Sequence, residues 1–309
     1  MASGSTLKRR LRGWTKTFGT AALGNAAVGI VRLVRRMDPD RAADRAGRIM
    51  RAIGRALPEH KLARANLTAA FPEKAPDEID HILTGAWDNL GRMAAEFAHL
   101  DKLWTADLDH PENGRIEFTP GTIDRFAQLR DDGKPALVFT AHLANWEMPA
   151  VAAAAHGIES AALYRRPNIG RIDELVKDLR AVNMGTLVPT SLDAPVKLLK
   201  LLEQGIHVGM LVDQYYTRGV DIEFFGRTTR ANPLLARLAQ HVDCPIHGVR
   251  IIRLPGHRFR ADLTEAVPPV RSDDGRVDIA ATTQAINSVI EGWVREHPEQ
   301  WLWMHRRWR

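Results

Sequence analysis

Apolar and polar residues change their spacing along the chain, which predicts two regions of different structure. Between residues 82 and 100 the apolar positions recur every three or four residues, a spacing that predicts a long amphipathic helix. These positions are Leu83, Trp87, Leu90, Met93, Phe97 and Leu100. Upstream, residues 40–73 are typical of short helices broken at Pro58 and Pro72. We interpret the apolar stripe of the long helix as core.

From residue 135 onward, short apolar runs alternate with helical segments. The runs cover residues 135–141, 159–164, 185–190, 206–213, 220–225, 245–252 and 258–264. Strands that alternate with helices predict an α/β fold, here a central mixed β-sheet flanked by helices. A last helix is predicted from Ile279 to Val294, ending before Pro298. We therefore expect a single α/β domain over residues 37–309.

Polar side chains follow three of the predicted strands. His142, Arg165 and Asp213 each come just after a different apolar run. In α/β sheets, residues past the carboxyl ends of the strands lie over the binding crevice. The sequence therefore predicts that these three residues share one site.

His142 and Glu147 lie five residues apart, a spacing that suits neither a strand nor a helix. A tight strand-to-helix turn, with Asn145 as the cap and Glu147 in the first helical turn, would bring the carboxylate to the imidazole. An imidazole oriented by a carboxylate is a general base. The alternative is structural: a buried histidine, and a glutamate that matches the helix dipole.

Several other chemistries have no support in the sequence. Gly-x-Ser-x-Gly is absent, and the single cysteine, Cys244, precedes a proline in an apolar stretch, so a general base would act on a substrate hydroxyl or on water. His-Glu-x-x-His and other ligand spacings are missing, as are Gly-x-Gly-x-x-Gly and the Walker loop. We expect neither a metal nor another cofactor.

The basic charge of the chain belongs to one end. Residues 1–36 carry eight Lys or Arg and no acid, whereas the rest has 35 basic and 37 acidic residues, in a total of +6. Residues 17–31 are uncharged but shorter than the roughly 20 residues of a spanning helix. We predict that residues 1–36 form a helical membrane-associating segment held to anionic lipid. The alternative is a basic terminus that packs a small helix on the body. Nucleic-acid binding is not predicted, because no basic face with aromatics is visible.

The chain ends in "PEQWLWMHRRWR", residues 298–309, with three tryptophans, one histidine and three arginines. Two interpretations remain open. The segment could pack on the body through cation–π contacts. It could instead hold an anionic substrate, which makes His305, Arg306 and Arg307 candidate binding residues.

Four motifs together resemble one known family. "TAHLANWE", from residue 140, resembles the His-four-residues-acid motif of the glycerolipid acyltransferase superfamily. "YRRPN" at 164–168, "GMLVDQYYTRGVDIEFFG" at 209–226 and the terminal "PEQWLWMHRRWR" resemble the lipid A biosynthesis (lauroyl or myristoyl) acyltransferases. The motifs occur in the family's order over residues 60–309, behind a basic N-terminus.

The resemblance implies transfer of an acyl chain from acyl carrier protein to a hydroxyl of a Kdo-bearing lipid A precursor. The expected place is the cytoplasmic face of a Gram-negative inner membrane. By position, His142 would be the catalytic base and Glu147 its partner. Arg165 would hold precursor phosphate or stabilise developing charge. Asn145, Asp213 and Gln214 would also contact substrate; alternatively, Asp213 only positions Arg165 by an ion pair.

Two departures from the family pattern leave other functions open. The N-terminal segment is shorter and more polar than the family's usual spanning segment, and Arg230 stands where many members have a small or hydroxyl residue. The acceptor could be another glycolipid, such as a phosphatidylinositol mannoside. The chain could also be a non-catalytic membrane-surface protein in which His142 and Glu147 are structural.

Overall fold

Helices make up the N-terminal third of the part of the chain that the computed structural model describes, which is residues 24–110, 112, 114–167 and 170–309. They are α1 (24–34), α2 (Pro39–Ile53), α3 (Glu59–Ala70), α4 (Pro76–Glu96) and α5 (Leu100–Leu103). Pro39 and Pro76 begin their helices, where the missing N–H has no intrahelical partner to lose. The predicted breaks and the predicted long helix are confirmed, although α4 begins before its apolar stripe and ends at Glu96, so that Phe97 and Leu100 lie beyond it.

Glycines allow α2 to lie directly on α4. A Cβ added to Gly91 would lie 2.4 Å from the carbonyl oxygen of Ala46, so any side chain there would separate the two helices. The apolar stripe of α4 is buried as the periodicity predicts, with Leu83, Trp87 and Met93 all in the interior. Helix α4 is therefore a middle layer between α2 and the rest of the protein.

A mixed seven-stranded sheet forms the body. Its strands run in the order β1-β9-β8-β2-β5-β3-β4, and β6 and β7 form a separate antiparallel hairpin. The strands are β1 (Ile116–Phe118), β2 (Leu137–Thr140), β3 (Ser160–Tyr164), β4 (Thr186–Pro189), β5 (His207–Leu211), β6 (Val220–Phe224), β7 (Arg227–Ala231), β8 (Ile246–Leu254) and β9 (Arg258–Leu263). The remaining helices are α6 (Thr122–Asp131), α7 (Met148–Ala155), α8 (Gly170–Asn183), α9 (Ala194–Glu203), α10 (Leu234–Ala239) and α11 (Ile279–Glu296).

The central strands of the sheet are parallel, so their carboxyl ends meet at one edge. Strand β5 pairs in parallel with β2 on one side and with β3 on the other, and β8 pairs in parallel with β2. Only the β8–β9 pair within this sheet is antiparallel. The mixed sheet flanked by helices is the predicted fold class, and it places the loops after β2, β3 and β5 side by side.

Side chains of the central strands alternate between two environments, as a strand requires. Leu137, Phe139 and Val208 are fully buried in the main apolar core. Val138 and Gly209, their neighbours along the strands, line a cavity on the other face. The sheet therefore has a closed face and a face with open space beside it.

All seven apolar runs predicted as strands are strands. Strands β1 and β7 were not predicted, because β1 has only three residues and β7 reads "RTTRA", with little apolar content. The last helix, α11, is confirmed and ends before Pro298.

The predicted N-terminal segment lies partly outside the described residues, which begin at residue 24. The end of α1 is attached to the body: Arg35 donates to the Ala98 carbonyl at 2.7 Å, and His99 Nε2 lies 3.0 Å from the Val34 carbonyl oxygen. Within the described residues, every helix is too short or too polar to span a bilayer.

Candidate active site

The strand register brings His142 and Asp213 together. Thr140 of β2 pairs with Leu211 of β5. His142 and Asp213 each follow two residues after their member of that pair. The Nδ1 atom of His142 lies 2.8 Å from Oδ1 of Asp213, and the His142 backbone N–H donates to Oδ2 at 2.9 Å. The prediction that polar residues after different strands converge at one edge is confirmed for this pair.

Asp213 is fully buried behind the imidazole. Its Oδ2 also accepts a hydrogen bond from the Trp301 indole N–H at 2.8 Å. Burial opposes the negative charge, but attraction to His142 and the hydrogen bonds that His142 donates outweigh it, so the pKa of Asp213 is lowered. An ionised Asp213 accepts the Nδ1 proton of His142 and leaves the lone pair of the imidazole on Nε2.

The Nε2 atom of His142 is directed toward polar and aromatic groups at the cavity mouth. The Gln214 side-chain nitrogen lies 3.3 Å from Nε2, and the Trp146 ring packs edge-on against the imidazole at 5.0 Å between centroids. His142, Trp146 and Gln214 all line the cavity. A substrate hydroxyl that reached Nε2 would take the place of the Gln214 amide.

The predicted pairing of His142 with Glu147 is wrong. Arg180 of α8 donates to both carboxylate oxygens of Glu147, through Nε at 2.9 Å and through the second guanidinium nitrogen. The carboxylate is engaged away from the imidazole because α7 begins at Met148, after Glu147, so the turn does not fold the acid back onto His142. Glu147 nevertheless lines the same cavity, together with Arg180.

Asn145 holds the loop and does not line the cavity, which corrects its predicted binding role. The residue is fully buried. Its amide donates to Glu96 at 2.8 Å, and its side-chain oxygen accepts the Glu147 backbone N–H at 3.2 Å. Glu96 in turn accepts a hydrogen bond from Arg253 at 2.9 Å. Burial disfavours the charge of Glu96, but Arg253 and Asn145 outweigh this effect, and its pKa is lowered.

The loop between His142 and Glu147 contains a strained residue. Ala144 has a φ of 47°, which a residue with a Cβ rarely adopts. Its backbone N–H donates to the Gln300 carbonyl at 2.9 Å, and its own carbonyl accepts from Asn89 at 3.3 Å. Such strain persists where the surrounding structure fixes it, and it is common at functional sites.

The C-terminal segment is built into the site as scaffold. Leu143 forms a β-bridge with Trp301, and the Leu302 N–H donates to the His142 carbonyl at 3.1 Å. Arg307 is fully buried: it donates to the Asn287 side chain at 2.9 Å and packs on the Phe224 ring at 4.6 Å. The predicted substrate contact by Arg307 is therefore wrong, and the cation–π interpretation holds for this residue.

The neighbours of Arg307 are placed differently. Arg306 is exposed, and no described contact links it to the site. The ring centroid of His305 is 6.5 Å from that of His142, and its Nδ1 lies 2.6 Å from the Leu302 carbonyl oxygen. Burial lowers the pKa of His305 to about 4, so this histidine is neutral near pH 7.

A cavity of about 610 Å³ extends from His142 along the open face of the sheet. Strands β2, β3 and β5 form one wall, and Pro149, Ala150 and Ala153 of α7 line the other side. At its deep end the cavity reaches Phe126, Leu129 and His207. The lining of the cavity is largely apolar; His142, Glu147, Arg165 and Arg180 lie toward its mouth, and His207 lies at its deep end.

Arg165 follows β3 and lines the mouth of this cavity with an exposed side chain. The alternative in which Asp213 positions Arg165 by an ion pair is wrong, because the carboxylate is engaged by His142 and Trp301. Direct substrate contact by Asp213 is also wrong, since the residue has no exposed surface. Gln214 remains a mouth residue, as predicted.

Trp301, Trp146 and Arg180 are site residues that sequence reasoning did not assign. The tryptophan-rich terminus was a signal for Trp301, but the spacing did not show that its indole reaches Asp213, 88 residues earlier. Arg180 lies in an ordinary amphipathic helix and carries no local signal. In the described part of the chain, no three His, Cys, Asp or Glu side chains are grouped so that they could hold a metal ion.

The chain belongs to the bacterial lipid A biosynthesis acyltransferase family, whose sequence model matches residues 8–309. A comparison with curated proteins gives no match. Family membership implies an acyltransferase role in lipid A biosynthesis, with an acyl donor and a lipid A-type acceptor. It also agrees with a site in which a histidine paired with a carboxylate stands at the mouth of a largely apolar cavity.

Proposed function

We propose that this family member transfers a fatty acyl chain from acyl carrier protein to a hydroxyl of a Kdo-bearing lipid A precursor. The general base is His142, oriented by Asp213. The observation that carries the proposal is the position of the His142–Asp213 pair, 2.8 Å apart, at the mouth of a cavity of about 610 Å³. An apolar chain fits the cavity, and a hydroxyl fits beside Nε2.

In the proposed reaction His142 Nε2 takes the proton of the acceptor hydroxyl while the oxygen attacks the thioester carbonyl. A C–O bond forms, the C–S bond breaks, and the imidazolium returns the proton to the leaving sulfur. Asp213 stabilises the transient imidazolium through the Nδ1 hydrogen bond. Proton transfer by a positioned base typically contributes about 10²- to 10⁴-fold to the rate.

The acceptor side of the mouth is basic. Arg165 is exposed there, and its planar guanidinium suits the phosphate groups of a lipid A precursor. The buried Glu147 and the half-buried Arg180 form an ion pair on the adjacent wall, which fixes the Arg180 guanidinium beside the cavity. We propose that Arg165 binds acceptor phosphate, whereas the Glu147–Arg180 pair shapes the wall.

The proposed location is the cytoplasmic face of the inner membrane of a Gram-negative cell. Large apolar side chains are exposed on the first two helices: Ile30 and Leu33 on α1, and Ile49 and Ile53 on α2. Arg45 and Arg48 are exposed on α2 beside Ile49. A helix face that combines arginine with exposed aliphatic side chains suits an anionic lipid surface.

The proposal is tested by thiol release from acylated carrier protein. We expect the purified protein to release carrier thiol only when the Kdo-bearing precursor is present, with a matching gain of one acyl chain in the precursor. A phosphatidylinositol mannoside and a precursor without Kdo serve as alternative acceptors. Equal transfer to the mannoside would contradict the lipid A acceptor, and absence of transfer to any acceptor would favour a non-catalytic protein.

A further inference from the structure

The open face of the sheet is divided into rows by the strand register. Nearest the mouth, Thr140 lies beside Leu211. Two residues deeper, Gly209 of β5 lies between Val138 of β2 and Ala162 of β3. Two residues deeper again, His207 lies beside Ser160. Residues of all three rows line the cavity, so the rows mark successive depths along it.

The middle row has the smallest side chains. A Cβ added to Gly209 would meet only the carbonyl oxygens of Ala161 and Val138, each at 4.0 Å, so the space above Gly209 belongs to the cavity. Ala162 adds one methyl group beside it. The backbone of Gly209 does not adopt the left-handed conformation that favours glycine, so a larger residue is compatible with the strand. The backbone conformation therefore does not require a glycine at position 209, whereas the open cavity space above it does.

The deepest row differs in polarity. His207 is buried, and burial lowers its pKa, so the imidazole is neutral at the end of the cavity. Ser160 adds a hydroxyl at the same depth. An alkyl chain gains by covering the apolar rows above, and it gains less by reaching polar groups.

The spacing of the rows gives the depth of each row below the mouth of the cavity. At about 3.3 Å per residue, Gly209 lies roughly 13 Å and His207 roughly 20 Å below the level of Asp213. An extended alkyl chain with zigzag C–C bonds of about 1.5 Å spans these depths with roughly 10 and roughly 16 carbons. A side chain added in the middle row would therefore block the cavity near the tenth carbon.

We infer that Gly209, with Ala162 beside it, determines the length of the acyl chain that the protein accepts. The inference rests on the proposed function, in which the cavity holds the acyl chain of the donor. The native protein takes straight chains of up to roughly 16 carbons, because the small middle row lets them pass to the polar end.

The test compares donors of graded chain length. In competition among acyl carrier proteins loaded with chains of 8 to 16 carbons, Gly209→Leu is expected to shift the preferred donor to roughly 10 carbons or fewer. Transfer from the longest donors should fall at least tenfold, and the KM for the acceptor should stay unchanged. Ala162→Leu, on the adjacent strand, should shift the preference in the same direction, and Gly209→Ala should shift it less.

Gly292→Leu is the matched control. Gly292 is an exposed glycine of α11 that also has open space around its Cβ position, and it does not line the cavity. The same substitution there should leave the chain-length profile unchanged. If folded Gly209→Leu keeps the native preference for long donors, the inference is overturned.

A binding measurement separates this inference from the proposed function. Displacement of a fluorescent fatty acid by free fatty acids of graded length needs no transfer reaction. If the native protein transfers acyl chains from no donor, the proposed function fails. The fatty-acid binding profile then tests by itself whether Gly209 limits chain length. Selective loss of long-chain binding in Gly209→Leu would support the inference, and an unchanged profile would overturn it.

Discussion

Asp213 decides which nitrogen of His142 carries the proton. Three donors point at its two oxygens: the imidazole Nδ1–H at Oδ1, and the His142 backbone N–H and the Trp301 indole at Oδ2. All three need a pure acceptor, which only the ionised carboxylate offers. The lone pair that can take a proton from substrate is consequently on Nε2, facing the cavity.

Asp213→Asn should keep the His142 imidazole in place but remove its ability to accept a proton at Nε2. The amide oxygen would satisfy the two donors at Oδ2, and the amide NH₂ would then face Nδ1, so that the imidazole proton moves to Nε2. We expect transfer to fall by roughly 10²- to 10⁴-fold. Trp301→Phe is the control, because it removes one donor but keeps the Nδ1 contact, and it should lose far less activity. Comparable losses in the two folded variants would contradict this role of Asp213.

Glu147 should be coupled energetically to Arg180 and not to His142. The carboxylate accepts two hydrogen bonds from the guanidinium, so Glu147→Gln and Arg180→Met remove the same interaction. Double-mutant cycles on transfer rate should give a large interaction term for Glu147 with Arg180 and near-additivity for Glu147 with His142. Strong non-additivity between Glu147 and His142 would restore the pairing that the sequence predicted.

The loop from 141 to 147 is held in place by several secondary-structure elements. The C-terminal segment bridges to it through Trp301, and α4 reaches it through Asn89 and Glu96. Strand β8 contributes Arg253, which pairs with Glu96 in the interior. The position of His142, the proposed base, thus depends on three elements that contribute no group to the proposed chemistry.

Arg253→Met should destabilise the protein and reduce transfer together. It leaves the buried Glu96 carboxylate without its cation, and breaking a buried pair in this way typically costs about 3–5 kcal/mol. Denaturant unfolding would measure the loss. A second substitution, Glu96→Leu, should recover part of the stability but not the transfer, because it removes the carboxylate that accepts the Asn145 hydrogen bond. A single variant within about 1 kcal/mol of the native protein would show that the pair does not brace the loop.

The spacing of apolar residues predicted the helices and strands because the burial of one face of an element leaves a regular pattern in the local sequence. It found α4, α11 and seven strands, and it placed His142 and Asp213 at the ends of two strands. The contact between them depends on the β2–β5 register, which no local spacing contains. For the same reason local spacing favours the nearby Glu147 as the partner of His142, and composition does not distinguish a buried Arg307 from a substrate-binding one.

At the scale of the whole molecule, the first two helices carry the surface proposed to meet the membrane. Arg45→Gln and Arg48→Gln together should weaken binding to anionic vesicles by about 2 kcal/mol, since each basic residue near such a surface contributes about 1 kcal/mol. High salt should weaken native binding, because exposed charges are screened beyond about 10 Å at 0.1 M. Cosedimentation with anionic and neutral vesicles measures both effects.

Arg271→Gln and Arg276→Gln form the matched control for the membrane surface. Both arginines are exposed on the loop before α11 and are not part of the α2 face. This pair should leave vesicle binding nearly unchanged. If the two pairs lowered binding equally, net charge and not the α2 face would account for the attraction.

His142 is the proposed base of an acyl transfer to a lipid A-type acceptor. The most direct measurement is the mass of the Kdo-bearing precursor after incubation with acylated carrier protein and either the native chain or His142→Ala, with circular dichroism confirming that both are folded. The native chain should add one acyl group, and His142→Ala should do so roughly 10²- to 10⁴-fold more slowly. A folded His142→Ala that acylates the precursor at the native rate would show that His142 is not the base.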